Sequence, residues 1–214
     1  MVYPDSVRVH QIVDYWYCCE RSRLMACLGL EAPQTLDMDC GSRVHEWLMG
    51  RPKTDKELKL YEALKPHEPF SRVFEGVQIL AHPDDLTVLG KNKVQIIEYK
   101  TVDNPHVKPW KTVLAKYQTQ LYAWVLQPIL EGLGYQLAHV HKVVFLSRNG
   151  LFVRKVSAEH DPYCVERKVG EVFSFWKTGQ PMIKPLKWKC LQCPSVFKAQ
   201  CRLYQSNPEV SRHG

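Results

Sequence analysis

The sequence predicts an α/β (α+β) fold in which helices cover a mixed β-sheet. Three observations support this prediction. Helical patterns fill the first part of the chain, strand patterns follow, and a long helix then separates those strands from a second strand pair. The chain has 214 residues, which is enough to bury one core, and it shows no internal repeat. We therefore expect a single domain over residues 1–214.

The first third of the chain predicts three helices. The apolar spacing predicts a helix over residues 6–29, with Ser6 as a possible cap and Gly29 after its end. Two shorter helices are predicted over residues 41–50 and 54–65. These helices precede every predicted strand.

The middle of the chain is rich in Val, Ile and Leu and predicts strands over residues 70–80, 85–90 and 94–100. The last two strands are separated by a Gly-Lys-Asn-Lys sequence, which is typical of a hairpin turn. These two strands are therefore expected to lie side by side.

The second half of the chain predicts a long helix over residues 109–134, with a kink at Pro128. Strands over residues 139–147 and 151–156 flank an Arg-Asn-Gly turn, whose Asn-Gly pair is expected to supply the positive φ angles of a tight hairpin. A last helix is predicted over residues 158–177.

Charge and hydropathy restrict the class of protein. The net charge is +7 and the isoelectric point is about 8.9, which suits a polyanionic partner. No window approaches the roughly 18–20 apolar residues of a membrane span. The first ten residues lack the basic and then apolar order of a signal peptide, so we expect a cytoplasmic protein that does not bind membranes.

The chain has eight cysteines, which is a high number for a cytosolic protein of this size. Disulfides are rare in that compartment, so metal or cluster ligation is favoured over a disulfide framework. Reduced, buried cysteines that act as small apolar residues are the alternative. The positions are Cys18, Cys19, Cys27, Cys40, Cys164, Cys190, Cys193 and Cys201.

Ionisable residues interrupt the third predicted strand near its end. Glu98 and Lys100 are two positions apart and therefore share one face of the strand. The hairpin brings this strand end next to Asp84 and Asp85, which lie where one predicted strand turns into the next. Two close carboxylates repel each other unless a cation or a proton lies between them. A metal site is the more specific interpretation. The alternative is that the aspartates only form a turn and that Glu98 and Lys100 form a local ion pair.

These residues resemble the PD-(D/E)XK signature of restriction-endonuclease-like nucleases, with Pro-Asp ending at Asp84 and Glu-Tyr-Lys spanning Glu98 to Lys100. A Gly-x-x-x-His segment that ends at His45 resembles the segment supplying a histidine ligand in the RecB-like branch of these nucleases. The resemblance implies a restriction-endonuclease-like mixed β-sheet core flanked by helices.

A further motif of the RecB-like branch, Gln-x-x-x-Tyr, resembles the sequence from Gln118 to Tyr122 on the long predicted helix. Residues four apart share one helix face, so both side chains can reach one site. The resemblance implies that they orient the DNA strand or Lys100.

The resemblance implies a deoxyribonuclease that depends on Mn²⁺ or Mg²⁺. Its metal ligands would be His45, Asp84, Glu98 and the backbone carbonyl of Tyr99. Lys100 would lie against the attacked phosphate. Ala81 replaces a glycine that the family has three residues before its aspartate, and Asp85 remains the alternative ligand.

The chain ends resemble those of nucleases that carry an iron–sulfur cluster. One cysteine near the start and three near the end would supply four ligands, most simply to a 4Fe–4S cluster. These are Cys18, Cys190, Cys193 and Cys201. Cys18 is the better fit at the start, because the family's cysteine often precedes a proline and Cys19 stands in the place of that proline; Cys19 is the alternative ligand. Cluster-binding segments are thus expected at residues 1–30 and 180–205, joined at the cluster.

Together these motifs span nearly the whole chain and resemble the stand-alone CRISPR-associated RecB-like exonucleases, cellular or viral. That family implies single-stranded DNA as substrate and CRISPR adaptation proteins as partners. It implies a role in spacer acquisition or in viral or cellular DNA processing. The oligomeric state is not predicted.

Aromatic and basic residues at the start of the long helix could form a track for single-stranded DNA. They are Trp110, Trp124, Lys108, Lys111 and Lys116. A solvated basic face is an equal alternative for the lysines. For the whole protein, the alternatives are a non-catalytic nucleic-acid-binding module with zinc or a cluster, and a redox enzyme using the cysteines.

Overall fold

The computed structural model describes residues 4–33, 36–103, 107–180, 189–190 and 193–205. Its elements in chain order are β1 (Ser6–Arg8), α1 (Val9–Tyr17), α2 (Cys19–Leu28), α3 (Leu36–Met49), α4 (Asp55–Leu64), a 3₁₀ turn (Lys65–His67), β2 (Phe70–Phe74), β3 (Val77–Ala81), β4 (Asp85–Leu89), β5 (Lys93–Val102), α5 (Pro109–Gly132), β6 (Gln136–Leu137), β7 (Val140–Ser147), β8 (Phe152–Glu159), α6 (Pro162–Thr178), and one-turn helices Ser195–Lys198 and Arg202–Gln205.

The described strands form two mixed sheets, flanked by helices. The smaller has the order β1-β3-β2, with β1 parallel and β2 antiparallel to β3. The larger has the order β4-β5-β7-β8, with β5 and β7 parallel and both outer pairs antiparallel. The α/β prediction is confirmed, but the expectation of one sheet is wrong.

The predicted strand over residues 70–80 is a hairpin of β2 and β3. The chain reverses at Glu75 and Gly76, whose φ angles are 47° and 82°. Gly76 adopts this left-handed conformation at no steric cost, whereas Glu75 is the one non-glycine residue in the described ranges with a positive φ. The continuous Val- and Ile-rich pattern concealed this turn.

The predicted helix over residues 6–29 is also divided. Its first residues form β1, and Cys18 is extended, with φ −158° and ψ 109°, between α1 and α2. The Cys18 amide still donates to Asp14 O at 2.7 Å, but the Tyr17 carbonyl accepts from Lys189 Nζ at 2.9 Å. Cys18 therefore leaves the helical path at a contact made by the distant end of the chain.

The two turns of the larger sheet depend on glycine. Gly90 begins the β4–β5 turn with φ 63°, and the Gly-Lys-Asn-Lys sequence forms the predicted hairpin turn. In the β7–β8 turn only Gly150 has a positive φ, at 80°, so the prediction of a positive φ at Asn149 is wrong. The Ser147 amide donates to Leu151 O across this turn.

Helix α5 continues through Pro128, which removes one backbone donor from its interior. The carbonyl four residues earlier, at Trp124, accepts instead from Arg72 Nη1 at 2.9 Å. The Arg72 guanidinium also lies 4.0 Å from the centre of the Trp124 ring. Strand β2 therefore satisfies the backbone group that the proline leaves open.

The main apolar core lies where α1, α5 and α6 meet the small sheet, and its largest fully buried side chains include Trp124 and Trp176. Helix α6 begins at Pro162 because Asp161 caps it, accepting from the Cys164 amide at 3.1 Å, so the predicted start at residue 158 is wrong. No helix in the described ranges is both long and apolar enough to cross a membrane.

Candidate active site

The β4–β5 hairpin brings Asp84 and Glu98 together. Asp85 pairs with Ile97 in the ladder, so Asp84 lies at the end of β4 opposite Glu98. The Tyr99 amide donates to Asp84 Oδ2 at 2.7 Å, and the charge of Asp84 acts on Glu98. The sequence placed these two residues at one sheet edge, and the structure positions them so.

Glu98 is 1% exposed, and burial raises its pKa to about 7, with the neighbouring Asp84 charge acting in the same direction. One carboxylate oxygen, Oε1, contacts Lys100 Nζ at 2.6 Å. The other, Oε2, is buried without a hydrogen-bond partner. Two adjoining carboxylates and an open oxygen are a donor set that fits a hard divalent cation.

His45 reaches the same carboxylate from α3, with its Nδ1 3.2 Å from Asp84 Oδ1. The hydrogen bond to Asp84 raises the pKa of His45, although burial opposes this effect. Helix α3 packs closely on β5 at Gly41. A Cβ atom at this position would lie only 3.1 Å from Thr101 Oγ1. The glycine of the Gly-x-x-x-His segment thus lets the helix bring His45 within reach of Asp84.

Asp85 points away from this cluster. Its carboxylate accepts from Arg51 and Lys53, each at 2.6 Å, and from Tyr61 Oη at 2.9 Å. It is 2% exposed. These two cations and the tyrosine hydroxyl group occupy the oxygens of Asp85. Of the two adjacent aspartates, Asp84 is therefore the better candidate for a metal ligand.

The Gln-x-x-x-Tyr pair lies on α5, where Gln118 Nε2 donates to Tyr122 Oη at 2.7 Å. Burial, with the charge of Glu98 next, raises the pKa of Tyr122 well above its usual range. Tyr122 therefore stays a neutral phenol beside the Glu98 carboxyl group. The structure thus brings this pair to the side of β5 that bears Glu98.

Sequence reasoning missed α1 as a wall of the site. Burial raises the pKa of Asp14, whose carboxylate pairs with Arg21 Nε at 3.3 Å. The charge of Asp14 also acts on Lys100. His10, one turn earlier, also lies within electrostatic range of Lys100. Neither residue belongs to a recognisable motif, and only the tertiary packing of α1 places them here.

The four predicted cluster cysteines line one cavity. They are Cys18, Cys190, Cys193 and Cys201. Burial raises the pKa of each of these thiols, that of Cys18 to about 11. Arg21, Lys189 and Lys198 line the same cavity and would offset the negative charge of thiolates. Four sulfurs around one cavity, with cations beside them, fit a cluster or a zinc ion.

Cys19 is fully buried in the main core and does not line this cavity. Cys27 packs against the same core, and Cys164 lies in the first turn of α6. The side chain of Cys40 and residues 181–188 and 191–192 of the predicted cluster segment lie outside the described residues.

No three His, Cys, Asp or Glu side chains among the described residues are arranged so that they could hold a metal ion as they stand. Both donor sets would therefore have to draw together around an ion. This matches the excess negative charge at Asp84 and Glu98, which keeps carboxylates apart or protonated until a cation binds.

The predicted DNA track is only partly available. Trp124 is 1% exposed and packs under Arg72, so it cannot stack on a base. Trp110 is half-buried and its ring lies 5.3 Å from that of Tyr17, at the rim of the cysteine cavity. Lys108 is exposed and Lys111 and Lys116 are half-buried on α5.

Comparison with known proteins agrees with this geometry. A family model described as the PD-(D/E)XK nuclease superfamily matches residues 61–202. A solved structure titled "Crystal structure of SSO0001" has a similar fold, with a TM-score of 0.50 and 15% sequence identity over 94% of this chain and 88% of that chain. At that identity the likeness concerns the fold alone. No curated protein sequence matches the chain.

Proposed function

Because this chain belongs to the PD-(D/E)XK nuclease superfamily, whose members are typically metal-dependent nucleases, we propose that it is an exonuclease that hydrolyses single-stranded DNA. The observation that carries the proposal is the buried, partnerless Oε2 of Glu98 beside Asp84. A structural ion pair with Lys100 would need neither a second carboxyl group nor an open oxygen.

The ligands of a Mn²⁺ or Mg²⁺ ion would be Asp84, Glu98, His45 and the backbone carbonyl of Tyr99. A bound ion supplies positive charge that activates water and neutralises the phosphate. His45 Nδ1 now faces Asp84 and becomes a ligand by turning this nitrogen, unprotonated, toward the ion.

Lys100 is placed to act on the substrate. Its side chain is 32% exposed, whereas that of its partner Glu98 is 1% exposed, so the ammonium lies on the solvent side of the carboxylate. Burial opposes its charge, but Glu98 and Asp84 together raise the pKa of Lys100, so it stays protonated at neutral pH. A fixed ammonium at this point stabilises charge that develops on a phosphate oxygen.

We further propose that Cys18, Cys190, Cys193 and Cys201 bind an iron–sulfur cluster, most simply 4Fe–4S. Support comes from the single cavity they line and from the chain ends meeting around it. The cluster would act as a staple between the two ends rather than in hydrolysis. By analogy with the exonucleases it resembles, the protein would serve spacer acquisition with CRISPR adaptation proteins, or viral or cellular DNA processing.

Digestion of a fluorescent single strand with Mn²⁺ tests the nuclease proposal. We expect degradation that a chelator stops and that Lys100→Ala abolishes. Lys93→Ala, on an exposed lysine at the start of the same strand, is the matched control and should digest normally. A wild-type protein that binds the strand but never cuts it would favour the non-catalytic module.

Visible absorption of anaerobically purified protein tests the cluster proposal. We expect a brown protein that loses iron in Cys18→Ala and keeps it in Cys27→Ala. A colourless wild-type protein that contains zinc would replace the cluster with a zinc site. Bleaching in Cys19→Ala but not in Cys18→Ala would show that the N-terminal ligand is misassigned.

A further inference from the structure

A groove of about 540 Å³ runs beside α1, outside the predicted catalytic residues. Arg8, His10, Arg21 and Leu80 are among the residues that line it. Arg8 ends β1 and pairs with Leu80 of β3, and His10 lies in the first turn of α1, so the β1–β3 ladder fixes the backbone of Arg8 beside the groove.

The groove collects positive charge near the catalytic lysine. Burial and the charges of Arg8, Lys100, Arg21 and His82, in that order, lower the pKa of His10 to about 4. Of the acidic groups near these cations, Asp14 pairs with Arg21, and Glu31 also lines the groove. Cations held this close repel one another, and an anion bound between them would relieve the repulsion.

The position of the groove tells which anion fits. His10 is within electrostatic range of Lys100, whose ammonium contacts Glu98 at 2.6 Å. Asp84 and His82 border a second groove of about 790 Å³, and the charge of His82 also acts on His10. Open grooves therefore adjoin both Asp84 and His10, and a DNA strand bound at the catalytic residues would have room to continue along them.

We propose that Arg8 and His10 bind a backbone phosphate of the DNA strand next to the one that is cut. Arg8 supplies a permanent charge and a fork of donors, and a neutral His10 donates one ring N–H. This inference rests on the proposed nuclease function, since it names how the same site holds its substrate.

The test measures DNA binding apart from cutting. Fluorescence anisotropy of a labelled single strand is recorded in a chelator over a series of salt concentrations. Loss of one phosphate contact should reduce the slope of log K against log salt by about 0.7 for a single strand. We expect this change in Arg8→Ala and its recovery in Arg8→Lys, which keeps the charge. Arg167→Ala, which removes an exposed charge from α6, should leave the slope unchanged.

Digestion kinetics provide a second readout. With Mn²⁺, Arg8→Ala should raise KM severalfold on a strand of about 20 nucleotides while kcat changes little. On a dinucleotide, whose single phosphate is the one that is cut, the variant should match wild type. An unchanged slope and KM in both Arg8→Ala and His10→Ala would overturn the inference while leaving the nuclease proposal intact. Absence of any binding or cutting by wild type would instead overturn the nuclease proposal itself.

Discussion

At the scale of single residues, Asp84 and Asp85 show how neighbours in the chain acquire different roles. Asp85 is the first residue of β4 and Asp84 precedes it, and their side chains have different partners. Asp84 meets Glu98 and His45, whereas Asp85 meets Arg51 and Lys53. The sequence motif favoured Asp84, but the cations that occupy Asp85 come from more than thirty positions away and could not be foreseen.

The two aspartates should therefore respond oppositely to substitution. Asp84→Asn is expected to abolish Mn²⁺-dependent digestion and leave the free energy of unfolding nearly unchanged. Asp85→Asn leaves two cations without their counter-charge and should lower that free energy by about 3 kcal/mol. Urea unfolding and strand digestion on both variants give the comparison. Equal loss of stability in both would mean that Asp84 is structural.

Glu98 should make metal binding dependent on pH. Its pKa of about 7 without metal means that the ion competes with a proton below neutral pH. The apparent Mn²⁺ affinity should then fall by at least about tenfold per pH unit below 7, with at least one proton released per ion bound, because His45, whose pKa is also raised, must be unprotonated as well. Calorimetric titration in buffers of different ionisation enthalpy measures both quantities. Affinity that is constant between pH 5 and 7 would remove Glu98 from the ligand set.

At the scale of elements, patterns within the chain predicted most helices and strands, and tertiary contacts explain the failures. Helical spacing runs unbroken from residue 6 to 29, yet the chain leaves the helix at Cys18. The contact that accompanies this break, from Lys189 to the Tyr17 carbonyl, spans most of the sequence. A local pattern carries no record of such a partner.

The substitution Gly41→Ala tests whether the close approach of α3 to β5 is needed to position His45. Gly41→Ala adds a Cβ that would lie 3.1 Å from Thr101 Oγ1, so the helix and His45 must shift. Alanine in a helix is worth up to about 1 kcal/mol over glycine, so stability should not fall. We expect a roughly three- to tenfold loss of kcat/KM. Adding Thr101→Ala should restore the rate; a double variant as slow as the single one would contradict this explanation.

Strand β7 should make the fold sensitive to acid. His141 is fully buried and its Nδ1 accepts from the Ile96 amide at 3.2 Å. Burial lowers its pKa to about 3 from a usual 6.5, so the unfolded chain binds a proton between these values and the folded chain does not. Stability is thus complete above pH 6.5 and falls as pH decreases, by up to about 1.4 kcal/mol per unit.

The check is the free energy of unfolding between pH 4 and 7. His141→Gln keeps an acceptor for Ile96 and should flatten this dependence relative to wild type. His139→Gln, on an exposed histidine two residues earlier, should not. An identical pH slope in all three proteins would show that His141 is not the group responsible.

At the scale of the whole molecule, hydrogen bonds join residues near the two ends of the chain, beside the cysteine cavity and the helix that borders the candidate active site. Trp176 Nε1 donates to Ser22 Oγ at 3.2 Å, and Arg202 Nε donates to Glu20 Oε1 at 3.1 Å. Arg21 lines the cysteine cavity and pairs with Asp14, whose charge acts on Lys100. The motifs indicated the residues of both candidate sites, but not that Arg21 of α2 and Asp14 of α1 connect the cysteine cavity with Lys100.

The central claim is that Glu98 serves a metal rather than an ion pair, and Mn²⁺-dependent digestion by Glu98→Gln tests it most directly. Glutamine keeps the shape and removes the charge, so the fold should survive. Thermal melting without metal should be unchanged or higher at pH 8, because a carboxyl group whose pKa is raised by burial destabilises the fold as pH rises. We predict a folded variant with no measurable digestion and much weaker Mn²⁺ binding. Digestion at a near wild-type rate would contradict the account.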